Sequence, residues 1–234
     1  MSLAQSDPVI FDIDGTLLAT DRFWLEVGRR AVRTVYERHG VDRELPSDRT
    51  FLAPIGMSME VFWQNILPEE LHHLCGEVEV EAQDLEEAAF AKGVGAMYPG
   101  ALDLIRDLHA DGRKVSLASN CGRRYLAAFQ AAFDLSPLLE SAYCIDSPGI
   151  RSKADMIGEI VAGKDPRRAV MIGDRDSDRA AARANGVPFI LFSGGFDAIA
   201  PSSGDAVART YEELREMLRP SASSSAASTS PTGG

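Results

Sequence analysis

From Tyr98 onward the chain alternates apolar, β-branched runs with amphipathic stretches, and that alternation restricts the fold more than any other feature. Lys114-Val115-Ser116-Leu117-Ala118, Ala142 to Ile145, Ala169-Val170-Met171-Ile172 and Val187 to Phe192 read as short buried strands, and Val207 starts a last one. Between them, helical spacing is carried by Ala101, Leu104, Ile105 and Leu108, by Tyr125, Leu126, Phe129 and Phe133, and by Met156, Ile157 and Ile160. Ala180 to Ala184 and Glu212 to Leu218 supply two further helices. Strands separated by helices pair in parallel through crossovers. The expected class is therefore α/β, a parallel sheet flanked by helices, with Val9-Ile10-Phe11 as its first strand.

Residues 18–97 break this rhythm. Phe23, Val27, Ala31 and Val35 recur every four residues up to Gly40, which is placed to end the helix. Residues 41–58 read as irregular, with Pro46, Pro54 and Gly56, and Ser58 reads as the cap of a helix carrying Met59, Phe62, Trp63 and Ile66. Pro68-Glu69-Glu70 opens a third helix running towards Ala91, with Glu77, Glu81, Asp84 and Glu87 as its solvated face. This block is expected to be an all-helical domain inserted into the core. The boundaries are 1–17 and 98–219 for the core, 18–97 for the insertion, and 220–234 for a Ser-, Ala- and Gly-rich disordered tail.

Chemistry is expected where strands end, because ligands of open α/β sheets bind beyond the carboxyl ends. Val9 to Leu17 delivers Asp12 and Asp14 into a turn at Gly15, a residue that tolerates positive φ and close approach of a ligand to the backbone. Two acids so close repel unless a cation or a shared proton separates them. Asp174 ends a later strand and Asp178 follows four residues on, in a helix's first turn. Four carboxylates converging without a partner would be strongly unfavourable, and a divalent cation resolves this. Mg²⁺ matches best, since it takes oxygen ligands and keeps waters and substrate phosphate. Ser119 and Lys153 are the complementary half, a hydroxyl and a compact positive charge suited to phosphate oxygens. Arg175 and Asp176 read as solvent-facing turn residues.

Composition narrows the partners. Thirty-five acids against 24 bases give a net charge of -11, which argues against a nucleic-acid partner. Cys75, Cys121 and Cys144 are widely spaced, indicating reduced thiols rather than a disulfide framework or a zinc site. No apolar run approaches the ~18 residues of a membrane span. A cytoplasmic protein with no membrane partner, monomer or homodimer, is the expectation.

Asp12-x-Asp14-Gly15-Thr16, Ser119-Asn120, Lys153 and Gly173-Asp174-x-x-x-Asp178 together resemble the four motifs of the haloacid dehalogenase (HAD) superfamily. The helical insertion after the first motif resembles the cap of its phosphoglycolate phosphatase-like branch, and Tyr98-Pro99-Gly100 the return into a Rossmann-like core. The resemblance implies a Mg²⁺-dependent phosphatase acting on a small phosphorylated metabolite, phosphoglycolate or a sugar phosphate, through an aspartyl phosphate. Asp12 would be the nucleophile and Asp14 the acid and base. Asp12, Asp174 and the main-chain carbonyl of Asp14 would hold the metal, with Asp178 in support. Ser119 and Lys153 would hold the phosphoryl group, and Gly15, Thr16 and Asn120 would complete the substrate contacts.

Other activities fit less well. Asp14 argues against dehalogenation, which has no leaving alcohol to protonate. A phosphomutase of the β-phosphoglucomutase type usually carries a cap histidine and Lys-Gly-x-x-Arg, where Trp24 and Ile55-Gly56-Met57-Ser58-Met59 stand here. Lys92 is the only lysine in residues 18–97 for a phosphonatase. A non-catalytic phosphometabolite-binding protein would be expected to lose the nucleophile or the metal acids, and all are present. Arg22, Arg49, Trp63, His72 and His73 are the candidate contacts to the leaving group.

Overall fold

The computed structural model describes residues 3–57, 59–196 and 198–219, so the expected cap at Ser58 and the expected tail at 220–234 lie outside the described residues. The chain enters through β1 (Val9–Phe11) and passes through α1 (Asp21–Arg38), α2 (Asp48–Leu52), α3 (Met59–Phe62) and α4 (Cys75–Ala91). It returns through α5 (Ala101–Ala110), β2 (Val115–Ala118), α6 (Arg123–Ala132), β3 (Ser141–Tyr143) and α7 (Lys153–Val161). β4 (Val170–Gly173), α8 (Asp176–Ala184), β5 (Phe189–Phe192), β6 (Ala206–Ala208) and α9 (Tyr211–Leu218) complete it.

The six strands form one sheet in the order β3-β2-β1-β4-β5-β6, with every pairing parallel. The order turns around between β1 and β4, which is the switch point where a doubly wound sheet opens a crevice. Register places Phe11 of β1 beside Leu117 of β2 and Ile172 of β4, so the three strands deliver their following residues to one edge.

Strand alternation divides the core. Val9, Phe11, Val115, Leu117, Val170 and Ile172 face a cluster with Leu104, Ile105, Phe129 and Leu214 of the helices on one side. Ile10 and Met171 face Met156, Ile157, Ile160 and Ala182 on the other. Both faces of these strands are covered, which is why they read as continuous apolar runs rather than alternating ones.

The helical block has its own cluster, in which Trp24, Val32, Val35, Phe51, Trp63 and Val78 are buried together. Phe23, Val27 and Phe90 instead pack into the sheet-side cluster with Leu17, Leu18 and Tyr125, forming an apolar seam between the block and the sheet. Two expectations differ in detail. Within residues 41–58, the Ser47 hydroxyl accepts from the Thr50 amide at 3.2 Å and starts the short α2, a local cap that outweighs the flanking prolines. After Pro68 the backbone runs as a 3-10 helix over Glu69–Leu74 before α4 begins at Cys75. Among the described residues no helix is long and apolar enough to cross a membrane.

Candidate active site

Asp12 follows β1 and is 2% exposed, and Asp174 follows β4 with no exposure at all. Asp178 sits in the first turn of α8, fully buried, where its carboxylate accepts from the Arg175 amide at 2.9 Å. Lys153 opens α7, whose start is fixed by the Ser152 hydroxyl accepting from the Asp155 amide at 3.2 Å. Four separate elements thus bring these groups together. Oxygens of Asp12, Asp174 and Asp178 lie within 4.8 Å of one another. Lys153 Nζ donates to Asp12 Oδ1 at 2.8 Å and to Asp178 Oδ1 at 2.5 Å.

Three buried carboxylates against the Lys153 ammonium and the Arg175 guanidinium, whose Nε lies 3.2 Å from Asp174 Oδ2, still leave an excess of negative charge. Burial raises the pKa of Asp12, Lys153 lowers it in part, and Asp178 and Asp174 raise it further. Burial and then Asp178 push Asp174 up to about 7. Burial disfavours the charged form of Lys153, yet Asp12 and Asp178 outweigh that, so the amine stays protonated. Asp174 Oδ1 accepts from the Thr16 hydroxyl at 3.0 Å, while its buried Oδ2 receives no hydrogen bond. An all-oxygen donor set that carries net negative charge fits a hard divalent cation.

Asp14 stands apart from this cluster. Thr20 and Tyr125 hydroxyls donate to its Oδ1 at 2.6 and 2.7 Å, which turns the carboxylate away from the other three. Burial raises its pKa, and those two hydrogen bonds lower it in part. The Asp14 side chain is therefore not part of that group of oxygens, although it lines the same cavity as Asp12. Gly15 makes the divergence possible with φ +79, and a Cβ there would collide with the Asp174 carboxylate.

The remaining expected residues divide. Ser119, Asn120 and Lys153 line a cavity partly open to solvent, together with Asp12 and Asp14. Ser119 Oγ also accepts from the Cys121 amide at 3.3 Å, and Asn120 Nδ2 donates to the Gly56 carbonyl of the helical block at 3.1 Å. Gly15 and Thr16, expected to contact substrate, do not line it: the Gly15 amide donates to the Leu18 carbonyl, and the Thr16 hydroxyl is fully buried on Asp174. Their work is to shape the turn and hold Asp174. Arg175, expected in solvent, packs its side chain against Gly56 and over the Phe196 ring at 5.5 Å. Of Arg22, Arg49, Trp63, His72 and His73, only Trp63 lines the cavity.

Sequence reasoning passed over Glu86. It is 9% exposed, lines the cavity, and accepts from Trp24 Nε1 at 2.9 Å. A signal existed: Glu86 takes a place in the buried i, i+4 row Val78, Ala82, Glu86 and Phe90 of α4. Burial, and secondarily the Asp14 charge, push its pKa up to about 8. A carboxyl whose folded pKa is raised contributes stability that is complete below its unfolded value and lost as pH rises through the folded one. Urea unfolding of the wild type and Glu86→Gln at pH 5 and pH 8.5 will therefore diverge. The variant gains on the wild type by on the order of 3 kcal/mol at the higher pH. Parallel pH dependences of the two proteins would contradict this assignment.

The sequence profile of the family described as haloacid dehalogenase-like hydrolase matches residues 9–183. Phosphoglycolate phosphatase of Caulobacter vibrioides is 35% identical over 104 residues, a match spanning 43% of this chain and 44% of that protein. Phosphoglycolate phosphatase of Pseudomonas putida is 24% identical over 227 residues, covering 90% of this chain and 78% of the relative. Among solved structures, that of a predicted phosphoglycolate phosphatase from Haemophilus somnus superposes with a TM-score of 0.77 at 18% identity, covering 92% of this chain and 99% of the other.

Proposed function

The chain belongs to the haloacid dehalogenase-like hydrolase family, and on that premise we propose that it is a phosphatase that uses Mg²⁺ to hydrolyse a small phosphate monoester through an aspartyl phosphate on Asp12. One observation carries this: two neighbouring acids are held for different work. Asp12 is fixed by Lys153 among the acids of the cluster, while Asp14 is fixed by Thr20 and Tyr125 beside the cavity.

Asp12, Asp174 and the main-chain carbonyl of Asp14 would hold Mg²⁺, with Asp178 in support. When bound, the ion neutralises charge on the phosphoryl oxygens. An oxygen of Asp12 attacks phosphorus as the ester P–O bond breaks. Asp14, its pKa raised by burial, gives its proton to the departing alkoxide. Asp14 then takes a proton from water as that water attacks phosphorus, the bond to Asp12 breaks, and inorganic phosphate leaves. Lys153 keeps Asp12 oriented and supplies positive charge next to the transferring group. The Ser119 hydroxyl and the Asn120 amide face the same cavity as donors to phosphoryl oxygens.

We assign residues 18–97 as a cap over the core of 1–17 and 98–219. The apolar cluster internal to the block and the Asn120 to Gly56 hydrogen bond across the cavity support that division. A cavity roofed by the block suits small substrates, and phosphoglycolate or a sugar phosphate is of the right size. Three cysteines without disulfide partners fit the reducing cytoplasm. The test is hydrolysis of an aryl phosphate and a panel of small monoesters by the purified protein. EDTA should cut the rate by at least about 100-fold and Mg²⁺ should restore it. No turnover on any ester would leave a phosphometabolite-binding module.

A further inference from the structure

We propose that the alcohol released at this site carries no negative charge: the leaving group is a neutral or cationic alcohol held between indole rings and the carboxylates of α4, and esters bearing a carboxylate or a second phosphate beyond the scissile group are poor substrates. This assignment rests on the phosphatase function proposed above and narrows its substrate. Above the phosphoryl position the cavity is walled by Trp24, Phe62 and Trp63. α4 adds Glu79, Gln83 and Glu86, spaced four and three residues apart on one helix face. Among the described residues, Lys153 is the one basic side chain lining the cavity. It is 5% exposed and committed to Asp12 and Asp178.

Desolvating an anionic leaving group requires a cation or several strong donors in return. Glu79 offers a like charge, which is strongly disfavoured beside an anion in a partly desolvated site, and Glu86, largely neutral near pH 7, adds no positive charge to offset it. A hydroxyl or an ammonium fits instead. Carboxyl groups accept from either, and an indole face attracts a cation and stacks on an apolar body. The Trp63 indole is 3% exposed and packs against Trp24 and Phe62, so this wall is apolar and offers no positive charge. Glu86, with its pKa near 8, is largely protonated at neutral pH and can donate to a hydroxyl as well as accept from one.

The experiment compares kcat/KM with Mg²⁺ present on glycerol phosphate, phosphoethanolamine and phosphoglycolate, three small esters whose leaving groups are neutral, cationic and anionic, with an aryl phosphate as reference. Phosphoglycolate is expected to fall at least about tenfold below the other two. In a Glu79→Gln, Glu86→Gln double variant that gap is expected to narrow at least about threefold. Glu79→Gln alone, at a half-buried position, repeats the comparison if the double variant does not fold. Turnover of the aryl phosphate with phosphoglycolate equal to or better than the neutral ester overturns this inference alone, as does a gap unmoved in the variants. Inactivity on all four esters overturns the phosphatase function with it.

Discussion

Asp12→Asn is expected to leave a folded protein whose turnover of an aryl phosphate falls by at least about 10⁴-fold. The amide keeps the shape of the side chain, and its oxygen can still accept from Lys153, so the loss isolates the nucleophile. Stability is expected to move the other way. In the wild type, burial and the neighbouring Asp178 and Asp174 raise the pKa of Asp12 despite Lys153, which means that its charge is held at a cost. Removing that charge relieves repulsion, so without divalent metal the variant should be at least as stable as the wild type at pH 8. Thermal unfolding and an initial-rate assay on the same preparation check both halves. A variant that is stable yet keeps a tenth of the wild-type rate would remove Asp12 from the chemistry.

Lys153→Met should fail in a different way. It takes the single ammonium from between Asp12 and Asp178, leaving those two buried carboxylates with no cation in contact, while Asp174 beside them keeps its ion pair with Arg175. Stripping one partner from a buried ion pair costs about 3–5 kcal/mol, so the variant should be markedly destabilised as well as slow. The pH dependence follows from the sign of the shifts. Asp12 is already raised and Asp174 pushed up to about 7 with the lysine present, and both rise further without it. Groups raised in the folded state contribute stability at low pH and lose it as pH climbs. The deficit relative to the wild type should therefore be small near pH 4.5 and largest near pH 8. Mg²⁺ should also recover more stability in the variant than in the wild type, since a ligand of the native state stabilises by mass action. Urea titrations at the two pH values, with and without Mg²⁺, decide this. Equal stability of the two proteins at pH 8 in the absence of metal would show that Lys153 is not the counter-charge of this cluster.

The two variants bear on different physical levels, and the sequence made those levels legible to different degrees. Strand and helix positions followed from local pattern, because burial of a side chain on a strand or helix depends on its near neighbours: the apolar runs at Val9, Val115 and Val170 are the buried strands β1, β2 and β4. Even the weak signal at Val207 corresponds to β6. Roles that depend on a partner across the fold were less readable. Thr16 in the first motif looked like a substrate contact, yet its hydroxyl meets Asp174, 158 residues away. Tyr125 read as an ordinary apolar-face residue of α6, and its hydroxyl turned out to orient Asp14. Arg175 lost its expected exposure because the loop at Gly56, far off in the chain, packs over it.

By itself, the sequence determined the α/β alternation, the helical interruption after the first strand, and which polar residues end the strands, since each depends on neighbours within a few turns of chain. Only the tertiary structure decided that Lys153 lies against Asp12 across 141 residues, that Asp14 diverges from the acids it was grouped with, and that carboxylates and indoles wall the space above them. Charge, dielectric and reach are properties of a shared volume, and that volume exists only once distant segments have packed around it.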